Sequence, residues 1–303
     1  MFDYYQVKKC IILLCKNLTK ENDYFMKNVE KFKSTKVEIK ELKDVFPSYP
    51  KTGYLSFSQT QPVTTSNDDI FFNWSALFKG IGEQQEIVSL LVQEKMDGAN
   101  AGMMFDQEKF GSKDGIIYVR NRDHILRKNY IINKESAAKM QFLPFFNEAH
   151  AKQKMLAKLN KQFDQVVAVY GEWLYAVHST VYDNLPGQFM AFDIWLTRDK
   201  KFIDPIIARN ALIGIGFDTP HVLAEEKLSL KILEVRIKEI NASVENLGWK
   251  SFYGNTDKSE GIYVKIGNEV SNELLSRFKI VRDDYQSNLY WNEKIMTKQK
   301  MKG

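Results

Sequence analysis

Lys95-Met96-Asp97-Gly98 places an amine and a carboxylate two residues apart, just ahead of a glycine. A lysine amine attacks an electrophile only when neutral. With a reference pKa near 10.4, only about one such amine in 2,500 is neutral at pH 7, a cost of about 4.6 kcal/mol. A dry pocket, a second cation or a nearby Mg²⁺ would reduce that cost. Lys95 is therefore a candidate nucleophile. The alternative is an exposed hairpin lysine, because a motif with three fixed positions recurs by chance. More charges sit inside apolar, strand-like segments: Glu172 in YGEWL, Asp193 in FMAFDI, Glu260 and Lys265 in EGIYVK, and Arg277, Lys279 and Arg282 in RFKIVR. One such charge usually belongs to a satisfied ion pair. A lysine, two glutamates and a basic cluster on successive strands suggest a polar cleft floored by a sheet. In it Lys95, Lys265 and Lys279 could face a triphosphate, and Glu260 could help hold a metal. Phe192 is by default a core phenylalanine, and Asp193 could simply orient a lysine.

The strands and helices needed to hold these residues are visible in the pattern. Ile87–Val92 and Ala101–Phe105 read as two strands joined through Gly98. Ile116–Val119 reads as a strand after the turn signal Lys113-Asp114-Gly115. Residues 136–163 read as mostly helical with a break at Pro144. Val166–Leu174 and Phe189–Leu196 read as strands from their Val, Phe, Tyr and Trp content. Asp204-Pro205 reads as a helix cap with proline at the first helical position. Leu228–Ile240 has helical spacing, and Ile262–Ile266 and Phe278–Val281 read as strands. Strands and helices do not alternate regularly, so the expected class is α+β with mainly antiparallel sheets flanked by helices. The expected organisation is a basic helical flank over 1–45, a main domain over 46–282 and a short helical tail over 283–303. Ser56–Asp69 reads as loop, and no recognisable β-barrel (OB) domain follows residue 282.

Composition removes several classes of function. In 303 residues, 20 Phe, 14 Tyr and 5 Trp need a core, which excludes disorder over most of the chain. The apolar run Cys10–Cys15 is too short to span a bilayer and short for a signal-peptide core, and Asp3 lies in what would be its basic leader. No membrane association is expected. Two cysteines cannot build a disulfide framework or a four-thiolate zinc site, which fits an intracellular, cytoplasmic setting. His124, His150, His178 and His221 form no metal-binding spacing, and His178 reads as a hydrogen-bonded structural residue. A net charge of +5 permits an anionic partner without requiring one. Lys298, Lys300 and Lys302 form a basic tail.

The order KxDG, YGEWL, FMAFDI, EGIYVK and RFKIVR resembles the covalent nucleotidyltransferase superfamily of polynucleotide ligases and mRNA capping enzymes. The likeness covers about residues 94–282. Within it the chain looks like an ATP-dependent RNA ligase. KMDGAN ends in Asn100, where DNA ligases and capping enzymes usually have arginine. The block from Gly171 to Pro186 is similar to one seen in an RNA-repair branch, as are Tyr49-Pro50-Lys51-Thr52 and Trp291. The resemblance implies that Lys95 attacks the α-phosphate of ATP and carries AMP. It implies that Glu94 and Arg120 (or, as the weaker choice, Arg122) contact the nucleotide or phosphates, Glu172 the ribose and Phe192 the adenine. It gives Glu260 to Mg²⁺, which Mn²⁺ can replace, with Asn100 reaching the metal through water, and Lys265 and Lys279 to the α-phosphate. Asp97, Asp193, Arg277 and Arg282 are implied more loosely, since some RNA ligases carry two lysines where Arg277 and Lys279 stand. The implied substrates are RNA ends or a nicked RNA duplex, with room for a protein partner that recruits RNA. The alternatives are a GTP-dependent capping guanylyltransferase, a DNA ligase, or a nucleic-acid-binding relative without catalysis.

Overall fold

The computed structural model describes residues 42–55, 71–81, 86–107, 115–126, 142–254, 258–285 and 298–301. Its contacts divide the chain into two units, residues 1–47 and 48–303. Of the first, residues 42–45 form a helical turn in which Phe46 N–H donates to Leu42 O at 2.7 Å. The remaining description concerns the second unit. Trp291 and the loop expected over 56–69 lie outside the described residues.

Two six-stranded sheets make up the second unit. The first runs β10-β3-β11-β12-β1-β2, from β3 (Ile87–Lys95), β11 (Gly261–Asn268), β12 (Glu273–Val281), β10 (Val222–Ser229), β1 (Gly53–Leu55) and β2 (Phe71–Phe72). The second runs β6-β5-β4-β7-β8-β9, from β4 (Ala99–Asp106), β5 (Ile116–Asn121), β6 (Ile125–Leu126), β7 (Val167–Trp173), β8 (Phe189–Leu196) and β9 (Lys201–Phe202). Every pairing is antiparallel except those of β1 with β12 and β2. The class is the α+β, mainly antiparallel one expected from the sequence.

Each sheet buries one face under helices and turns a more polar face inward. In β11, Ile262, Val264 and Ile266 join Leu90 and Val92 of β3 and Phe278 and Ile280 of β12 in one core. It is capped by α1 (Trp74–Ile81) and by α5 (Leu233–Asn246), which contributes Leu233, Ile237, Ile240 and Val244. Because side chains alternate along a strand, Tyr263 and Lys265 must face the other way. The second sheet packs Met103, Phe105, Val167, Val169 and Ile194 against α2 (Leu143–Ala151), α3 (Gln153–Phe163) and α4 (Pro205–Ile215). Phe145 anchors that core, its ring 5.0 Å from Trp173 and 5.3 Å from Phe189. Truncating it to alanine would cost about 3–5 kcal/mol. Asp204 caps α4 as the sequence suggests, its Oδ1 accepting from Ile206 and Ile207 N–H.

The local structure adds detail to the sequence reading and changes it at one point, Leu228. The two strands expected on either side of Gly98 are both present. β3 belongs to one sheet and β4 to the other, so the Met96–Gly98 turn crosses between them. Of the stretch 136–163, residues 136–141 lie outside the described residues; Pro144 sits in the first turn of α2, and a break follows at Lys152. Leu228 lies in β10, not in a helix, and α5 begins only at Leu233 after a 3₁₀ turn. Seven residues of β10 pair with β3, and that backbone ladder outweighs the local helical spacing. In the tail, residues 286–297 lie outside the described residues, and Lys298 and Met301 form bridges.

Candidate active site

β3 ends at Lys95, directly opposite Gly261 at the start of β11. Glu260, one residue earlier, therefore stands beside the lysine, with Lys95 Nζ 2.5 Å from Glu260 Oε2. The motif glycines sit where backbones press together. A β-carbon at Gly261 would collide with Ile280 O. One at Gly98 would lie 2.7 Å from Leu174 Cδ2 and 2.8 Å from Trp173 O, so glycine lets the turn press against β7. Asp97 points into the protein. Its Oδ2 accepts from Ser179 N–H (2.7 Å) and Thr180 N–H (2.6 Å), and its own N–H donates to the Tyr182 hydroxyl at 2.8 Å.

The second sheet supplies the facing wall. Asn100, Glu172 and Met190 lie in one row across β4, β7 and β8. Further along, Ala191 pairs with Gly171 and Asp193 with Tyr170, which leaves Phe192 as the extra residue of a bulge. Bulges re-aim side chains, and Phe192 lines the cleft. From the first sheet, Lys279 of β12 aligns with Tyr263 of β11 and Tyr54 of β1. The cleft encloses about 920 Å³ of space, open solvent at its mouth included. Glu94, Lys95, Asn100, Arg122, Glu172, Phe192 and Lys279 line it. Glu94 contributes with its carboxylate already engaged, by Ser251 Oγ at 2.5 Å and Phe252 N–H at 2.9 Å.

The electrostatics favour a protonated lysine in the free protein. Burial alone would lower the Lys95 pKa, but Glu260, Glu172 and Asp97 more than offset it, and the ammonium is held above its ordinary range. Burial raises Glu172 to about 7, against the attraction of Lys95 and Arg122 and helped by Glu260 and Asp97. Burial also raises Glu260, opposed chiefly by Lys95. Two buried carboxylates thus share one ammonium. Among the described residues no three His, Cys, Asp or Glu side chains converge to cage a metal unaided. The donor set fits a hard cation of the Mg²⁺ kind, which takes one or two carboxylates and completes its shell with waters and substrate phosphates. Glu260 is buried against Lys95, and Asn100 lines the cleft.

Other residues implied by the likeness stand behind the cleft. Lys265 is fully buried: Nζ donates to Phe192 O (2.6 Å) and to Asp193 Oδ1 (3.0 Å), so no face of it is open to a phosphate. Burial lowers its pKa, against the pull of Asp193. Asp193 also accepts from the Tyr49 hydroxyl at 2.5 Å and from Arg277 Nη1 at 3.1 Å. Arg120 is 2% exposed and donates to Ser48 Oγ, Asn121 O and Arg122 O. Arg122, just beyond the end of β5, is the arginine on the cleft wall, so the preference for Arg120 is reversed. Arg282 braces the approach to Glu260, with Nε on Ser259 O and its N–H on Glu260 O.

The cleft is also lined by residues to which the sequence assigns no role in the site: Tyr49, Lys51, Thr52, Met96, Pro220 and Tyr263. Tyr263 was findable, since it alternates with Lys265 along one strand face. Pro220 and Tyr49 come from distant loops and carry no local periodic signal.

A sequence model of the RNA ligase family matches residues 88–281. Similar solved structures include an archaeal ATP-dependent RNA ligase, 14% identical with a TM-score of 0.43, covering 78% of this chain and 48% of that one. A Naegleria gruberi RNA ligase variant with ATP and Mn is 19% identical with a TM-score of 0.40, covering 79% of this chain and 59% of that one. The chain thus spans about half of these structures' lengths. No curated protein matches the sequence. With the family match extending over most of both sheets, from β3 to β12, the chain belongs to the RNA ligase family.

Proposed function

We propose that the protein is an ATP-dependent RNA ligase. It would join a 3′-hydroxyl to a 5′-phosphate through a lysyl-AMP intermediate at Lys95, in RNA repair. The observation that carries this reading is the setting of Lys95. Its amine lies against Glu260, in a cleft that also presents Glu172, Lys279, Arg122 and Phe192. One similar structure, the Naegleria gruberi ligase, is described with ATP and Mn.

In the first step the neutral Lys95 amine attacks the α-phosphorus. A nitrogen–phosphorus bond forms, the bond to the pyrophosphate oxygen breaks, and pyrophosphate leaves with that electron pair. The lysine proton passes into the buried carboxylates, of which Glu260 is 2.5 Å away. Phe192 offers a ring face to adenine, Glu172 accepts from the ribose hydroxyls, and Lys279 and Arg122 stabilise charge building on the phosphates. Glu260 and, through water, Asn100 are the residues that would hold a divalent cation, whose chemistry there would be charge neutralisation at the phosphates. In the second step a 5′-phosphate oxygen of RNA takes the AMP and frees the lysine. In the third the 3′-hydroxyl attacks that 5′-phosphate, a phosphodiester forms and AMP departs.

Lys265 acts in this scheme as a brace for Phe192. The RNA is an end or a nick, brought by the chain's own basic surface or by a protein partner. The test is incubation with α-³²P-labelled ATP and Mg²⁺ beside Lys95→Ala. Label on wild-type protein alone after denaturation supports the reading, and transfer of that label to a nicked RNA extends it to ligation. Label from GTP but not ATP would overturn it in favour of capping.

A further inference from the structure

The block from Gly171 to Pro186 does more than carry Glu172. Beyond β7 it forms a loop that holds the nucleophile's turn from behind. Ser179 and Thr180 N–H grip the Asp97 carboxylate, and the Tyr182 hydroxyl takes the Asp97 N–H. Asp97, Thr180 and Tyr182 are all buried. Asp97 is two residues from Lys95, so this loop fixes where the β3 turn leaves its strand.

The loop is itself held by the tail. Gln299 is 5% exposed and uses both ends of its side-chain amide. Its Oε1 accepts from Tyr182 N–H at 2.8 Å, and its Nε2 donates to Thr180 O at 2.8 Å. On either side of this clasp, Gln299 N–H donates to Tyr175 O and Lys300 N–H to Tyr182 O, both at 3.2 Å. Lys298 and Met301 bridge to Ala176 and Leu185. A glutamine amide has the donor and acceptor of a peptide unit, and here it satisfies a loop carbonyl and a loop N–H as a neighbouring strand would. The two groups it satisfies belong to the residues that hold Asp97.

We infer that Gln299 is a positioning residue for covalent chemistry at Lys95. It fixes the 180–182 loop, the loop fixes Asp97, and Asp97 fixes the turn that presents the amine. None of residues 298–301 lines the cleft. An effect of Gln299 on chemistry therefore passes through the loop and not through contact with the nucleotide. The inference rests on the reading of Lys95 as the adenylylated residue.

The experiment measures single-turnover AMP-adduct formation across ATP concentrations for wild type, Gln299→Ala, Tyr182→Phe and the double variant. Slow amide exchange is followed at Asp97 and Thr180 in the same proteins. Gln299→Ala should slow adduct formation about tenfold, because small misplacements of a reacting group carry rate losses of this order or larger. Half-saturating ATP should stay within about twofold, and the Asp97 and Thr180 amides should exchange about tenfold faster. The double variant should be no slower than the slower single variant, since both substitutions act through one loop. An unchanged rate, losses that multiply in the double variant, or a loss confined to half-saturating ATP would each overturn the inference. If wild type forms no adduct, the adenylylation reading fails by itself. Exchange at Asp97 and Thr180 then still decides whether Gln299 holds the turn, and unchanged exchange in Gln299→Ala rejects it.

Discussion

Two buried charge clusters lie on the inward faces of the sheets, and they are built differently. Around Asp193 every strong group has an answering partner. The carboxylate receives Lys265, Arg277 and the Tyr49 hydroxyl, and Lys265 also donates to Phe192 O. Around Lys95, Glu260 and Glu172 share one ammonium, and burial raises both carboxylates. The first cluster is closed and the second opens into a cleft. A closed cluster holds its neighbours in place, here the bulge that carries Phe192. An open cluster whose carboxylates burial pushes toward the protonated form leaves room for a ligand. The sequence signal was the same for both, a charge within an apolar strand. Compensation separates the brace from the chemistry.

This contrast can be broken at several points. The largest effect is expected at Lys95. Lys95→Ala should reduce AMP-adduct formation at least about 10³-fold, as loss of a nucleophile does. An adduct that persists in this variant would move the chemistry elsewhere. Next, Lys265→Met should destabilise by about 3–5 kcal/mol, because it leaves the buried Asp193 charge short of a partner. Chemical denaturation reads that loss directly, and a neutral result would mean that Arg277 and Tyr49 suffice.

Glu172→Gln should have opposite effects on activity and stability. The folded-state pKa of about 7 lies above the ordinary 4.5, so between those pH values the folded protein retains a proton that the unfolded chain has lost. Stability due to Glu172 is therefore present below about pH 4.5, falls as pH rises through 7 and then levels off. A neutral glutamine at this position would remove that loss. Calorimetry should find the variant about 3 kcal/mol more stable at pH 8 and equal to wild type at pH 4, while adduct formation slows. A stability difference that does not vary with pH would contradict the assignment. The smallest effect is expected at Arg122, where alanine should slow adenylylation about 10²-fold, as loss of one charge-stabilising contact does. Arg120→Ala should instead act mainly on stability, and the reverse pattern would restore Arg120 to the site.

Much of the site was legible because its chemistry is written in short local motifs. KMDG, YGEW and EGIYVK each place a charge where a strand ends or bends. The α+β class followed from strands recognisable by apolar content. What could not be read locally came from pairing and packing. β10 carries Glu225, Glu226 and Lys227 in a row, and only its ladder with β3 makes it a strand. Lys265 and Lys279 look alike in sequence, but one is sealed behind Phe192 and the other lines the cleft. Arg120 and Arg122 differ in the same way.

The candidate reactive residues could be named from the unfolded chain, namely Lys95, Asn100, Glu172, Glu260 and Lys279, with the glycines whose missing side chains allow strands to approach. These are matters of residue type and near-neighbour spacing, which the chain carries without folding. Which charges face one another was settled only when the two sheets came together. Burial depends on what the opposite sheet brings, and a pKa depends on burial and partners together. Tyr49 reaching Asp193, and Gln299 reaching the loop that grips Asp97, span more than a hundred residues each. No periodicity along the chain encodes a contact of that range.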